Sequence, residues 1–237
     1  MTEGIPPTGV RRPGIYARGV DTVGQILNAA LGVLVDEGAA AFTLRRIAAA
    51  SGMKVGNLSH HFPRKELLVQ LLLEQMLNNY EKILDTTVRR TDLSAEDRFT
   101  RVIEICLDDI GTKRTTRLFT ELWALANHNS FIADRVEAFY RHVHAVIGQF
   151  VAELNPGLSG EGVATVSLFI SSAMEGTTMF AGFEKPWEHR MPSLKRMSVR
   201  YFLEITRTIR DSDIDPVSNK APRPGAPGRR AQLAATD

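Results

Sequence analysis

The chain has 237 residues, of which 43% are hydrophobic and 24% charged, a composition ordinary for a soluble globular protein. Its net charge is +2, but residues 1–65 carry eight basic and four acidic side chains, which leaves −2 for residues 66–237. The single cysteine, Cys106, excludes an intrachain disulfide framework and favours a reducing compartment. The N-terminus lacks the apolar core of a signal peptide, and no apolar run reaches the ~18 residues of a membrane span. We therefore expect a cytoplasmic protein without membrane contact.

The first predicted elements are an arm and an amphipathic helix. Residues 1–19 are rich in Gly, Pro and Arg, which is typical of a flexible basic arm whose arginines either enter a DNA minor groove or stay solvated. From Thr22 onward apolar residues recur at helical spacing, Thr22 with Gln25 forms a potential capping box, and Gly38 is suited to ending the helix. The arginines are Arg11, Arg12 and Arg18, and the apolar stripe comprises Val23, Ile26, Leu27, Ala30, Leu31 and Leu34.

A helix-turn-helix is predicted between residues 42 and 65. Thr43 can cap a short helix that ends at Ser51-Gly52, and a second short helix covers roughly residues 55–61. Gly52 permits a backbone conformation that other residues resist, as a tight turn between two crossing helices requires. The apolar side chains that can lock these helices together are Ile47, Met53 and Leu58.

The second short helix would then expose one polar face. Such a face can enter a DNA major groove, which is ~12 Å wide. Lys54 and Asn57 are the preferred base readers, because lysine suits guanine and asparagine suits adenine. His60 and His61 are weaker candidates for metal ligands, because adjacent residues on a helix point in different directions and no Cys or carboxylate set accompanies them. The face consists of Lys54, Val55, Asn57, Ser59, His60 and His61.

At these positions the sequence resembles the tetracycline-repressor (TetR) family of bacterial regulators. The resemblance covers about residues 21–70, in the family's usual order and spacing. The matching residues are Asp36-Glu37-Gly38, Phe42-Thr43, Leu44-Arg45-Arg46-Ile47-Ala48, Ser51-Gly52-Met53, Gly56-Asn57-Leu58, His60-His61-Phe62-Pro63 and Lys65-Glu66-Leu67-Leu68. The rest of the chain matches the family in architecture only.

The resemblance implies a role for individual residues in DNA binding. Thr43 would cap its helix and offer a donor to a phosphate, Lys65 would pair with a phosphate, and Gly56 would allow a close approach to the DNA backbone. Ser59 and His61 stand where the family frequently has tyrosine, and a protonated imidazole can donate to phosphate instead. The DNA-contacting set that we predict is Thr43, Arg45, Lys54, Val55, Gly56, Asn57, Ser59, His60, His61 and Lys65.

The chain beyond Pro63 is predicted to stay helical. A long fourth helix follows, Ser94 can cap a later helix, and Ser130 opens another long one. Residues 161–183 are apolar nearly all round, and Ser193 starts a last helix. Cys106 falls among apolar residues at helical spacing and is interpreted as a buried structural thiol. We expect an all-α protein with three parts beyond the arm: a DNA-binding domain at residues 20–66, a larger helical domain at 67–210, and a disordered tail at 211–237.

The resemblance also implies a homodimer and an effector pocket in the larger domain. The dimer interface is expected on the two most apolar late helices, at residues 161–183 and 193–209. His128 and His142 are possible polar handles for a ligand, whereas aromatic and Met side chains at helical spacing are more often plain core. The predicted pocket residues are Phe119, Leu122, Trp123, His128, Phe139, His142, Met174 and Phe180, with Phe183 as a further candidate.

The sequence therefore predicts a ligand-responsive, sequence-specific transcriptional regulator that binds double-stranded operator DNA. Repression relieved by a small molecule is the default that the resemblance implies. An enzyme is not expected, because the chain has no Gly-rich phosphate loop, no nucleophile–base pair at a recognised spacing and no metal-ligand cluster, and no cofactor is expected either. Glu121 could serve a ligand site. The alternative is a helical sensor or partner-binding protein whose operator binding is weakened, and the missing tyrosines at residues 59 and 61 favour it.

Overall fold

The computed structural model describes the backbone of residues 13–89 and 92–214, and the side chains of these residues except 13–21, 87 and 88. The regular secondary structure of these two ranges is helical and contains no β-strand, which confirms the predicted all-α class. The helices are α1 (Pro13–Glu37), α2 (Leu44–Ala50), α3 (Val55–His61), α4 (Glu66–Ile83), α5 (Ala95–Ile110), α6 (Lys113–His128), α7 (Ser130–Leu154), α8 (Gly160–Ala181) and α9 (Met191–Thr208). None of them is both long and apolar enough to cross a bilayer.

Side-chain caps fix several helix starts where the sequence predicted them. The Thr43 hydroxyl oxygen accepts the Arg46 N–H at 3.2 Å at the start of α2, and the Ser94 hydroxyl oxygen accepts the Asp97 N–H at 3.1 Å at the start of α5. These contacts satisfy backbone donors that have no partner within the helix. Gly38 ends α1 with a φ of 83°, as expected for a residue without a β-carbon.

Two predicted helix starts are wrong. α1 already includes Pro13, the first residue that the structure describes, so Thr22 lies inside the helix, and residues 13–19 of the expected arm are helical. α9 begins at Met191 with Pro192 in its first turn, before Ser193. At α9 the physical reason is Pro192, because a proline has its φ preset for the first turn and lacks an N–H that would need a partner there. Residues 1–12 of the arm and 215–237 of the tail lie outside the described residues.

Two hydrophobic clusters organise the molecule. The first joins α1, α2 and α3 to α4 and to the facing parts of α6 and α7, and the second joins α5, the later part of α7, α8 and α9. α7 takes part in both, since Phe139 belongs to the first cluster and Ile147 to the second. α4 follows α3 directly and continues as a π-helical segment at Leu84–Val88, where Leu84 enters the second cluster. α4 and α7 therefore connect the N-terminal helices to the rest of the chain.

Candidate nucleic-acid interface and ligand cavity

α2 and α3 are fastened together by buried apolar side chains and a tight turn. Ile47 and Leu58 are fully buried, and Met53 packs partly buried against the same cluster. Gly52 has a φ of 71°, which turns the chain so that the Met53 N–H donates to the Ala48 carbonyl at 2.9 Å. The three predicted anchors thus lie where a helix-turn-helix needs them, and Gly52 has the conformation for which glycine was expected.

The polar side of α3 points away from the molecule. On this helix Leu58 is buried, Val55 is 43% exposed and Ser59 is half-buried. We call the exposed residues of this segment the recognition surface; they are Lys54, Val55, Gly56, Asn57, His60 and His61. A short helix that turns its polar side outward on buried anchors is the arrangement that fits a major groove.

The ends of the neighbouring helices also present polar groups. Thr43 and Arg45 are exposed at the start of α2, and Lys65 is half-buried just before α4. Arg46 differs from Arg45, because both its Nε and Nη2 donate to the Glu37 carboxylate, at 2.7 and 2.6 Å, and join α2 to the end of α1. The structure therefore exposes eight of the ten predicted DNA-contacting residues and leaves two half-buried, and the contacts themselves stay a prediction.

The two histidines of α3 diverge. Their ring centroids lie 5.9 Å apart with the planes at 71°, and both rings border a hollow shared with Thr22, Met53 and Asn57. Adjacent helical positions separate their side chains in this way. The pair thus offers two separate imidazole donors on the recognition surface.

Contacts from α6 hold the end of α1 and the turn that follows it. The Ala39 N–H donates to Glu121 of α6 at 2.7 Å, and a β-carbon built on Gly38 would lie 3.3 Å from the same carboxylate. Lys113 pairs with Asp36 at 2.7 Å, which lowers the pKa of that carboxyl through a hydrogen bond and its positive charge. Glu121 was considered for a ligand site, but it lies at the joint between α6 and the turn that precedes α2.

A partly open cavity lies among α4, α5, α6, α7 and α8. Most of its wall is aliphatic or aromatic, as ligand pockets generally are. Its lining residues are Leu77, Tyr80, Ile83, Leu84, Val102, Ile105, Cys106, Ile110, Thr115, Phe119, Phe139, His142, Val143, Val146, Ile147 and Glu175. We call this space the ligand cavity.

The predicted pocket residues divide into two groups. Phe119, Phe139 and His142 line the ligand cavity. The other members lie outside this lining. Leu122 and Met174 are buried in the hydrophobic clusters, whereas His128 and Phe180 are exposed. Trp123 is half-buried, and its Nε1 donates to the Tyr140 hydroxyl at 3.0 Å. Phe183 also lies outside the lining, and the Arg117 guanidinium stands 5.8 Å from its ring centroid.

Several cavity residues were not predicted from the sequence. Glu175 is the clearest, and its signal was available, since it is the single charged residue between residues 162 and 183. Burial raises its pKa to about 7, partly offset by a hydrogen bond from Tyr140. Cys106 was expected in a packed core but is half-buried on the cavity wall, where burial raises its pKa to about 12 and keeps it a thiol.

Polar groups line two sides of the ligand cavity. On one side the Tyr80 hydroxyl and the Thr115 hydroxyl, the latter at 2.8 Å, both donate to the same Asp109 oxygen. On another side His142 Nε2 lies 2.7 Å from Glu81, whose pKa is lowered mainly by its hydrogen bond from Arg89. The charged groups around the cavity are thus mostly carboxylates.

An apolar surface runs over α8 and α9. Phe180 is 65% exposed, and its neighbours on this surface are exposed by half or slightly more. Large apolar side chains grouped in this way mark an interaction site more often than a bare solvent face. The exposed residues are Leu168, Phe169, Met179 and Phe180 on α8, Met197 and Tyr201 on α9, and Trp187 between them. Both helices are those on which the dimer interface was expected.

Comparison with known proteins gives two matching family models and several relatives. A model described as bacterial regulatory proteins, tetR family, matches residues 26–72, and one described as BetI-type transcriptional repressor, C-terminal, matches residues 95–203. An uncharacterized HTH-type transcriptional regulator from the dhlA 5' region of Xanthobacter autotrophicus is 26% identical over 151 residues, covering 62% of this chain and 73% of that protein. The HTH-type transcriptional regulator CymR of Pseudomonas putida is 39% identical over 93 residues, covering 39% of this chain and 43% of CymR.

A solved structure supports the fold. The transcriptional regulator FadR of Bacillus subtilis, crystallised in complex with stearoyl-CoA, is similar with a TM-score of 0.61 and 16% sequence identity. The match covers 78% of this chain and 97% of that one. A match of this extent shows that the two chains share their fold beyond the helix-turn-helix.

Proposed function

Because the chain belongs to the TetR family of transcriptional regulators, we propose that it is a homodimeric repressor that a small molecule releases from operator DNA. The observation that carries this proposal is the recognition surface: a polar helix side turned outward on two fully buried anchors, Ile47 and Leu58. Its place of action would be the cytoplasm, where bacterial operators are.

The recognition surface has the chemistry for reading a DNA duplex. Lys54 can donate to guanine and Asn57 can pair with adenine, while the Thr43 hydroxyl, which already accepts the capping N–H, can still donate to a phosphate. Lys65 would add a phosphate contact beside the recognition helix. In this arrangement α3 supplies sequence preference and the flanking residues supply orientation.

The apolar surface on α8 and α9 supports the dimer. Packing it against the same surface of a second copy would remove residues such as Phe169 and Phe180 from water, which is favourable at roughly 25 cal/mol per Å². A two-fold axis would then place two recognition surfaces about one DNA turn apart, ~34 Å, on a nearly palindromic operator.

The ligand cavity supports control by a small molecule. Its lining includes residues of α4, the helix that follows α3, and of α6. On α6, Lys113 holds the end of α1 and Glu121 holds the turn before α2. A ligand that binds one arrangement of these helices more tightly would shift the population toward it. FadR, which shares the fold, was crystallised with an acyl-CoA.

The test is a binding titration with the full chain and labelled DNA. Duplexes from upstream of its own gene and of neighbouring genes are titrated by fluorescence anisotropy at several salt concentrations, with a scrambled duplex of the same composition as control. We expect one duplex to bind far more tightly than its scrambled control, with affinity falling as salt rises. Equal affinity for every duplex would overturn the proposal.

A second candidate function has one observation in its favour. Ser59 is half-buried and His61 is exposed at positions where the family frequently has tyrosine. A protein whose operator contacts are weakened in this way would act as a helical sensor for a ligand or a protein partner. A ligand-binding dimer that shows no preference among the duplexes would support this alternative.

A further inference from the structure

The ligand cavity has an acidic side within a mostly apolar wall. Glu175 lines it from α8, and the Tyr140 hydroxyl of α7 lies near enough to offset part of the rise in the pKa of Glu175. The Tyr140 oxygen in turn accepts from Trp123 Nε1 at 3.0 Å, so α6 holds this hydroxyl in place. The surroundings of Glu175 thus come from three helices.

A second carboxylate lies close to the first. Asp109 of α5 accepts from Tyr80 and Thr115, which both line the cavity, and its negative charge raises the pKa of Glu175 further. Asp109 itself is not part of the cavity lining and is joined to it through Tyr80 and Thr115, so a positive group on Glu175 would also feel the negative charge of Asp109. We call Asp109 and Glu175 the acidic pair.

The acidic pair has no basic partner in the cavity wall, although Asp109 also borders a separate hollow whose lining includes Lys82 and Arg114. Among the residues that line the cavity in the described part of the chain, none is a lysine or an arginine, and the single histidine, His142, is engaged by Glu81 at 2.7 Å. Glu81 is in turn bound by Arg89 at 2.6 Å. A carboxylate in an apolar cavity is costly unless it is paired or protonated, so a cationic ligand would relieve that cost.

The remainder of the wall suits a hydrocarbon body. Val102, Ile105, Val143, Val146 and Ile147 are aliphatic and come from α5 and α7. Their surfaces favour an alkyl or aryl group because its burial removes apolar area from water. The cavity thus combines one acidic pair with a large apolar volume.

From this arrangement we propose that the effector is a protonated amine on an apolar body, with its N–H donors on Glu175. The inference rests on the proposed function, since it names the class of effector that the same cavity takes. An N–H donor is specified because the carboxylate oxygens of the acidic pair are hydrogen-bond acceptors. A carboxylate or phosphate ligand would be repelled by the same pair.

The experiment compares three probes with the same alkyl chain: decylamine, decanol and decanoate. Each is titrated below its micelle concentration into the full chain by calorimetry near neutral pH. Decylamine is expected to bind about tenfold more tightly than decanol, or better, because hydrogen bonds to a charged group add to the same apolar burial, and decanoate is expected to bind weakest. Decanol or decanoate binding as tightly as decylamine, or no binding of decylamine, would overturn the inference.

Two variants locate the preference. Glu175→Gln should bring decylamine down to the affinity of decanol, whereas Glu161→Gln, which removes an exposed carboxylate from the same helix, should change neither. A preference for decylamine that survives Glu175→Gln would also overturn the inference. The wild-type comparison of the three probes stands even if Glu175→Gln does not fold.

Operator binding is measured on the same preparations. If decanoate binds the cavity and releases DNA, the regulator proposal stands and the amine inference fails. If decylamine binds through Glu175 but no duplex is preferred, the amine inference stands and the repressor proposal fails. The two claims are thus tested separately.

Discussion

The recognition surface and the ligand cavity differ in how their side chains are held. On the recognition surface Lys54, Asn57 and His61 extend into solvent from a short helix, and only its buried side fixes the position. In the cavity Tyr80 and Thr115 are tied to Asp109 by hydrogen bonds, within walls drawn from five helices. The first arrangement leaves polar groups free to adapt to a duplex, whereas the second fixes polar groups so that a ligand must fit them.

The largest effect on the recognition surface is expected when the buried side chain that anchors α3 is removed. Leu58→Ala should lower the free energy of unfolding by about 3 kcal/mol, because it deletes a fully buried side chain, and operator binding should be lost as α3 detaches. Urea denaturation and anisotropy check both effects. The control is Val55→Ala on the exposed side of the same helix, which should change stability by less than about 0.5 kcal/mol. Equal destabilisation by the two variants would contradict the assigned orientation of α3.

A change on the exposed side should affect DNA and not stability. Asn57→Ala is expected to cost ~1–3 kcal/mol of binding to the proper operator, because it removes a base contact, with little loss on scrambled DNA. Titration of both duplexes measures this difference. Equal losses on matched and scrambled DNA would refute Asn57 as a base reader.

In the cavity, the strongest test of burial is the pH dependence of stability. The pKa of Glu175 is about 7 in the folded chain against an ordinary 4.5, so its stabilising neutral form is complete below about pH 4.5 and is lost as pH rises through 7. Glu175→Gln should therefore be more stable than the wild type by roughly 1–2 kcal/mol at pH 8, and the difference should vanish at pH 4.5. Thermal denaturation across this range checks the sign. A variant less stable than the wild type at pH 8 would show that ionised Glu175 is already paired.

The joint between the two regions can be weakened by one substitution. Glu121→Ala removes the acceptor of the Ala39 N–H, and we expect a loss of about 1 kcal/mol in the free energy of unfolding. The ligand should also release DNA less effectively, because α6 no longer holds the turn before α2. Glu104→Ala, at an exposed position of α5, is the matched control and should leave both quantities unchanged.

The smallest effect is expected at Lys65, which lies half-buried between the two regions. Lys65→Ala should weaken binding to all duplexes by a similar factor and reduce the slope of log affinity against log salt by about 1, as loss of one phosphate contact predicts. Salt titrations with matched and scrambled DNA provide the measurement. A loss confined to the operator would instead identify Lys65 as a base reader.

The helix-turn-helix could be predicted from the sequence because its determinants are local. Thr43 caps the helix that follows it, Gly52 adopts the conformation that the turn requires, and Leu58 is set inward by helical spacing alone. None of these depends on residues far away in the chain. The local signal at Thr22 is misleading, because a residue suited to a cap can equally lie inside a helix, and the Gly, Pro and Arg before it are typical of a flexible arm.

The cavity could be predicted only in part, since its members are chosen by the packing of distant helices. Phe119 and Leu122 both lie on the inner side of α6, yet only Phe119 lines the cavity. Helical spacing predicts which side of a helix is buried. It does not predict which of the buried side chains pack against a neighbouring helix and which line the cavity. Glu175 carried a usable signal, a lone charge in an apolar helix, whereas Cys106 carried none.

α4 begins directly beyond the recognition surface and ends against the cavity wall, and its 18 residues make a rod about 27 Å long. A tilt of about 5° at the cavity end would carry the other end sideways by roughly 2 Å over that length. A hydrogen bond to a base tolerates a displacement of only a few tenths of an ångström before it weakens. A tilt of α4 by about 5° is therefore enough to separate the side chains of the recognition surface from the groove. In the proposed regulator, the length of α4 would therefore convert a small movement at the ligand cavity into a larger displacement at the DNA.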